Sequence, residues 1–197
     1  MTALAISNIV LWIVVLALLA VVLALTRQLG VLHERIAPVG ALMLNRGLAV
    51  GEQAPVLDVV DLAGARVSLG SPRSDGKSTL LLFVSPTCPV CKSLLPVVKS
   101  SGKDERDWLD VILASDGDPD EHRAFARANG LAGVPYVVSA PLGMTYQVSR
   151  LPFAALLDEA GVLRARGLVN SREHLESLFE AKRLGVASIQ DYFAKGK

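Results

Sequence analysis

The chain opens with an apolar stretch that has no helical or strand period at all. From Ala3 to Leu25 no residue is charged, and only Ser7 and Asn8 interrupt the series. At about 1.5 Å of rise per residue, a helix over this stretch spans roughly 35 Å, more than a hydrocarbon core of about 30 Å. A cleaved leader wants basic residues ahead of the apolar run and a small-residue cleavage site. No Lys or Arg precedes this run, and "ALTRQ" matches such a site poorly. The pattern therefore predicts an uncleaved, single transmembrane anchor over residues 1–26. Residues 27–50 are mixed and read as a juxtamembrane linker, helical in part up to Ala37 and partly lying in the interface.

From Gly51 the pattern becomes that of a folded domain. "LDVVDLAGARVSLG" holds two short apolar runs around Ala63-Gly64, a hairpin signal. Turn chemistry in "SPRSDGK" leads into "STLLLFVS", a continuous apolar run that fits a central strand buried on both faces. Leu94, Leu95 and Val98 then recur at helical spacing after Cys91, with Pro96 predicted to kink that helix. "WLDVILAS" is the next strand. "DPDEHRAFARANG" is a punctuated helix: Asp118 caps it, Pro119 takes N1, Glu121 N3, and Gly130 follows its last turn. "PYVVSA" and "FAALLDEAGVLRARGLV" supply three strands, the last two joined at Glu159-Ala160-Gly161. A closing helix is expected from Asn170, with Glu173 completing a capping box and Leu175, Leu178 and Phe179 buried. The folded domain is expected over 51–186, and 187–197 as a polar tail. The element order predicts an α/β fold: a mixed sheet flanked by helices, parallel through its crossovers and antiparallel at the closing hairpin.

Composition changes this picture little. Of 197 residues 51% are hydrophobic, and the excess sits in the first segment. A net charge of +1 without a basic stripe argues against nucleic acid as a partner. Orientation is contested: Arg27, Arg35 and Arg46 all follow the span and nothing basic precedes it. The positive-inside rule would keep the domain in the cytoplasm, although large domains translocate regardless of charge.

The chemistry lies in "SPTCPVCKSLLP", which holds the only two cysteines, Cys88 and Cys91. A structural zinc wants four ligands; there is one pair here, with His33, His122 and His174 scattered. A structural disulfide across so short a loop would constrain the unfolded chain little. A redox pair fits better, with zinc and a structural bond as the lesser alternatives. The strand ends at Ser85-Pro86, so Cys88 falls at a helix N-terminus, where unpaired N–H groups and the dipole favour a thiolate. Pro89 lacks an N–H that would be orphaned there anyway. Cys91, nearly one turn on and more buried, is placed to resolve a mixed disulfide formed on Cys88. Strand, C-x-x-C and helix in that order make the signal strong.

These residues resemble the thioredoxin superfamily. Pro96 stands where that family has the proline of its active-site helix. "RLPFAALLDEAG" is similar to the segment in which a cis-proline precedes a strand and a D-x-x-G turn. The resemblance implies that Pro152 is that proline, that Leu151 and Pro152 bind an extended client backbone, and that Pro86, Thr87, Pro89, Val90 and Pro96 support the site. The strand and helix between Trp108 and Gly130, with "GEQAPVLDVVDLAG", resemble the membrane-anchored thiol reductases and the peroxiredoxin-like branch. Three positions depart from the pattern. Leu82 and Leu94 stand where a buried carboxylate is usual, and Thr87 replaces the usual tryptophan. A peroxidase loop would need proline seven residues before Cys88, where Leu81 stands.

The apolar anchor, "RQLGVLHERIAPVGALM", "GEQAP" and "SPTCPVCKSLLP" together resemble the MauD family, accessory proteins of methylamine utilisation. That resemblance implies a periplasmic, membrane-anchored thiol–disulfide oxidoreductase that helps mature the disulfide-rich light subunit of methylamine dehydrogenase. It implies no cofactor or metal beyond the Cys88–Cys91 disulfide, a bilayer contact through 3–25, and a membrane redox or accessory partner. A cytochrome c maturation reductase and a non-catalytic escort of the same fold are the alternatives. Oxidant, reductant and isomerase roles all remain open to such a pair.

Overall fold

The structure, a computed structural model, describes residues 2–35 and 48–185, with side chains for 6–22 and 48–185. The expectations for most of the linker (36–47, with Arg46) and for the tail (187–197) fall outside the described residues. The chain divides into two compact units, Met1–Asn45 and Arg46–Lys197.

The first unit holds one helix, α1 (Thr2–Arg35). Its described side chains are exposed on every side, Trp12 and Leu16 at 62% and 59% among them. Among the described residues no helix is long and apolar enough to cross a membrane. The described side chains, 6–22, cover less than the uncharged run Ala3–Leu25.

The second unit begins with the expected hairpin, β1 (Leu57–Val60) paired antiparallel with β2 (Arg66–Leu69). Asp61 shapes its turn by accepting the N–H groups of Ala63 and Ala65 at 2.9 and 2.8 Å, and Gly64 takes the positive φ of 87° that the reversal needs. The main sheet contains β3 (Ser78–Phe83), β4 (Leu109–Ser115), β5 (Tyr136–Val138), β6 (Phe153–Leu157) and β7 (Leu163–Leu168), in the order β5-β4-β3-β6-β7. Strands β3, β4 and β5 run parallel, and β6 and β7 antiparallel. The unbroken apolar run is thus the central strand, buried at every position.

Its alternation splits the core in two. Leu80, Leu82 and Val84 face a cluster with Leu113, Tyr136, Ala154 and Leu156. That cluster is closed by α2 (Pro89–Asp104) through Cys91, Leu94, Leu95 and Val98. Phe125 of α3 (Pro119–Ala128) joins it, as do Leu175, Leu178 and Phe179 of α5 (Arg172–Leu184). Leu81 and Phe83 point the other way, towards Ile112, Val137, Ala155 and Leu157. That face is covered by Leu69 of β2 and by Leu142 of α4 (Ala140–Thr145), with Tyr146 just beyond it.

Two local expectations are corrected. The closing helix is capped by Ser171, whose Oγ accepts the His174 N–H at 3.4 Å, and not by Asn170. Glu173 is therefore one position too early to close a capping box, because the reciprocal bond needs it at N3. The helix α4 was not expected: six residues containing Pro141 and Gly143 carry no helical period, and only the Ser139 cap and the following Pro141 announce it.

Candidate active site: a thiol pair at a strand–helix junction

Strand β3 ends at Phe83, and the chain turns through 84–88 before α2 begins at Pro89. The turn is tied internally. Thr87 donates its N–H to the Ser85 Oγ at 3.3 Å, their hydroxyls lie 2.9 Å apart, and Cys88 donates its N–H to the Ser85 carbonyl at 3.1 Å. Cys88 is the N-cap residue of α2, with extended backbone (φ −86°, ψ 114°), and its sulfur accepts the Cys91 N–H at 3.3 Å. A thiol thus takes the capping role usually filled by Ser, Thr or Asp.

Both cysteines are free thiols, Cys88 partly exposed and Cys91 fully buried. Partial burial works against a Cys88 thiolate, but the S–H of Cys91 and the N–H groups of Cys91 and Val90 outweigh it, so its pKa falls below the ordinary thiol value. The opposite holds for Cys91. Burial, and then its hydrogen bond to Cys88, push its thiol up to about 12. One thiol is poised to ionise and is reachable; its neighbour is protonated and hidden.

Pro89 and Val90 are exposed beside the pair and Pro86 is half-buried. Pro96 lies inside α2, where it has no N–H for the preceding turn. Leu151 and Pro152 come to the same end of the sheet, because Phe153 of β6 pairs with Phe83 of β3. The Leu151–Pro152 bond is cis; Leu151 is 38% exposed, and the Pro152 carbonyl accepts the Val169 N–H at 3.1 Å. Leu151 lines a cavity of about 180 Å³ with Val84, Ser115, Asp116 and Arg150. Among the described residues, no group of three His, Cys, Asp or Glu side chains gathers to hold a metal.

Leu82 and Leu94 are buried in the same cluster as Cys91, at 0% and 2% exposure. Asp158, the buried carboxylate among the described residues, follows the end of β6 that pairs with the start of β3, at the opposite end of the sheet. What the sequence did not disclose is a set of buried polar side chains on the Cys91 face. His122 is 2% exposed and Tyr136 3%. The imidazole Nδ1 lies 2.7 Å from the Tyr136 hydroxyl, and Nε2 lies 2.7 Å from the Asp116 carbonyl oxygen. Ser115, also buried, donates its hydroxyl to the Val84 carbonyl at 2.7 Å.

This arrangement of sheet, helices and thiol pair is thioredoxin-like. A putative protein disulfide isomerase from Bacteroides thetaiotaomicron shares the fold at a TM-score of 0.58 and 23% identity, over 71% of this chain and 91% of that one. The chain belongs to the AhpC/TSA family, whose pattern matches residues 50–185, and within it to the MauD proteins. It is 47% identical to the methylamine utilization protein MauD of Paracoccus denitrificans, over 97% of this chain and 94% of that protein. Against the MauD of Methylorubrum extorquens it is 46% identical over 97% of this chain and 92% of that protein.

Proposed function

We propose that this protein is a membrane-anchored thiol–disulfide oxidoreductase that serves methylamine utilisation by forming or rearranging disulfides in the light subunit of methylamine dehydrogenase. The observation that carries the chemistry is the asymmetry of the thiol pair: Cys88 caps α2 with a lowered pKa, while Cys91 sits buried one turn on with a raised one. The Cys88 thiolate attacks a client disulfide, forms a mixed disulfide and releases one client thiolate. Cys91 then loses its proton to the departing sulfur or to water and attacks the Cys88 sulfur. The Cys88–Cys91 disulfide forms, and the client leaves with two thiols. Run in reverse, the same steps oxidise a client dithiol, and the potential of the pair against its compartment sets the direction. Leu151 and Pro152, at the same sheet end and with Leu151 exposed, are the place for an extended client segment.

Membership among the MauD proteins supports the metabolic setting. The anchor is supported by the uncharged run Ala3–Leu25 and by apolar side chains exposed all round α1, which in water would form a large apolar surface. A client with disulfides places the folded unit in an oxidising compartment, the periplasm, despite the arginines after the span. A redox or accessory partner in the membrane would recycle the pair.

The test is trapping. Full-length Cys91→Ser should accumulate a mixed disulfide with the light subunit through Cys88, and Cys88→Ser should not. Equal trapping by both variants would contradict the roles, and normal maturation of the light subunit with both cysteines replaced would favour a non-catalytic escort.

A further inference from the structure

Strand β4 is covered by its outer neighbour along less than half its length. It runs for seven residues, but β5 has three and pairs Leu113–Ser115 with Tyr136–Val138. On its other side, the Trp108 and Ala114 carbonyls accept the Ser78 and Val84 N–H groups at 2.8 and 2.9 Å. Alternate residues of a parallel ladder bond to the same neighbour, so Leu109, Val111 and Leu113 turn their backbone groups away from β3. Leu113 donates its N–H to the Pro135 carbonyl at 2.8 Å, and Leu109 donates its own to the Glu105 carbonyl at 2.9 Å. Between them, the Val111 N–H, the Val111 carbonyl and the Leu109 carbonyl meet no backbone partner among the described residues. Continued one step, the register would bring Pro135 to the Val111 carbonyl, and proline has no N–H to give. Gly133, at a φ of 83°, turns the chain off the edge just before.

This edge opens into a groove of about 630 Å³ lined by α2 and β2. Its apolar lining includes Val98, Val111 and Val134 on the α2 side and Val67 on the β2 side. Around it stand Lys99, Lys103 and Arg106, from α2 and the turn after it, and Arg66 from β2, all exposed. Lys103 and Arg66 form no ion pair among the described residues, and Arg106 has a loose one with Asp107 at 3.9 Å. The acid of the lining, Asp110, is already held by Arg73 and Lys77. Basic residues beside a sheet edge can simply keep other chains off it. Blocking charges of that kind sit on the edge strand itself. Here the open stretch offers Leu109 and Val111, and the cations flank the gap from both neighbouring elements. Charge then decides the occupant. A second copy would bring the same cations face to face. Of the chain's own segments, 36–47 has no acidic residue and 186–197 has one against two lysines. A lipid would leave the backbone groups of Val111 and Leu109 unpaired.

We propose that the open edge of β4 is a docking site for an extended, acidic segment of a partner protein. The segment adds a strand of about four residues, roughly 13 Å long, beside Leu109–Ile112. Its backbone bonds to Val111 and Leu109, and its alternate side chains face α2 and β2, where the cations stand. The site lies away from the thiols: Leu109 pairs with Ser78 at the start of β3, whereas Cys88 follows the far end of that strand. A partner held there leaves the thiol pair free for a client, and the docking does not depend on the redox chemistry.

Fluorescence anisotropy with the full-length protein in mild detergent tests this. The probes are a labelled peptide of alternating Val and Glu, its Val/Lys counterpart, and a Val/Glu peptide N-methylated at its two central residues, so that neither edge can pair. The acidic peptide should bind at least about tenfold more tightly than its lysine counterpart. Lys103→Glu and Arg66→Glu should each weaken it about three- to tenfold and keep the parent's thermal midpoint, because both side chains are exposed. Central N-methylation should weaken binding to the parent protein at least about tenfold, and this arm needs no protein variant. The Val111 amide should exchange more slowly with solvent deuterium when the acidic peptide is bound. No binding of that peptide at millimolar concentration would overturn the proposal, as would folded variants that bind it like the parent. An N-methylated peptide that binds undiminished would mean a charged surface alone and would overturn it too. Displacement of the peptide by dihexanoylphosphatidylglycerol, with Val111 exchange unchanged by the peptide, would give the groove to an anionic lipid instead.

Discussion

Asp158 offers a sharp test of how the segment carrying Leu151 and Pro152 is held. It closes the turn between β6 and β7 and is 4% exposed. Its Oδ1 accepts the N–H groups of Ala160 and Val162 at 3.0 and 2.8 Å, and its Oδ2 accepts the Arg164 Nε–H at 2.6 Å. Asp158→Ala removes all three acceptor contacts. Bonds to a charged acceptor contribute about 1.5–3 kcal/mol each when buried, but the Arg164 side chain is 42% exposed and regains water, so its share is small. A loss of about 2–4 kcal/mol follows, with water repairing part of the exposed Ala160 N–H. For a protein of this size that lowers the thermal midpoint by about 5–15 °C. Asp158→Asn keeps an acceptor oxygen for the backbone and should lose about half as much.

The pH dependence supplies the sign. Burial opposes the charged carboxylate, yet the Val162 N–H and Arg164 outweigh it, so the folded pKa lies below the usual value. Stability from this group is therefore full above the unfolded value of about 4 and is lost as pH falls through the folded value. Thermal melts of the full chain in mild detergent, followed by near-ultraviolet circular dichroism from pH 7 to pH 3, should show the gap between parent and Asp158→Asn closing with acid. An Asp158→Ala midpoint within 1 °C of the parent, or a gap that holds constant to pH 3, would refute the reasoning.

Two further outcomes are expected. Alkylation of Cys88 in the Cys91→Ala variant, which keeps the backbone N–H bonds to sulfur but removes the S–H donor, should reach half its maximal rate at higher pH than in the reduced parent. The same midpoint in both would deny Cys91 its part in lowering the Cys88 pKa. A phosphatase fused after Lys197 should be active in cells, because that reporter needs an oxidising compartment; an inactive phosphatase beside an active cytoplasmic reporter at the same junction would reverse the topology.

Much of the fold was legible because its elements announce themselves locally: β3 as an unbroken apolar run, the β1–β2 hairpin by Ala63-Gly64, and α3 by its Asp118 cap. The thiol pair was legible for the same reason, since strand, C-x-x-C and helix are contiguous. Asn170 and Ser171 cap equally well in sequence, and only geometry selects Ser171 for α5. The buried polar side chains on the Cys91 face were invisible for a different reason. His122 and Tyr136 are fourteen residues apart, and Ser115 ends a separate strand. No local spacing links them; the parallel pairing of β4 with β5 and the packing of α3 bring them together. By metal-ligand spacing His122 is a scattered histidine, and its partners in the structure are a phenol and a carbonyl.

The central claim is that Cys88 and Cys91 form one redox couple, and its most direct test is an equilibrium titration of the full-length protein against glutathione. Thiol content is read by alkylation at each ratio of reduced to oxidised glutathione. A single reversible two-electron transition is expected, ending in an intramolecular Cys88–Cys91 disulfide and absent from Cys88→Ser and Cys91→Ser alike. Thiols that stay reduced, or that pass only to stable glutathione adducts without closing the intramolecular bond, would contradict it.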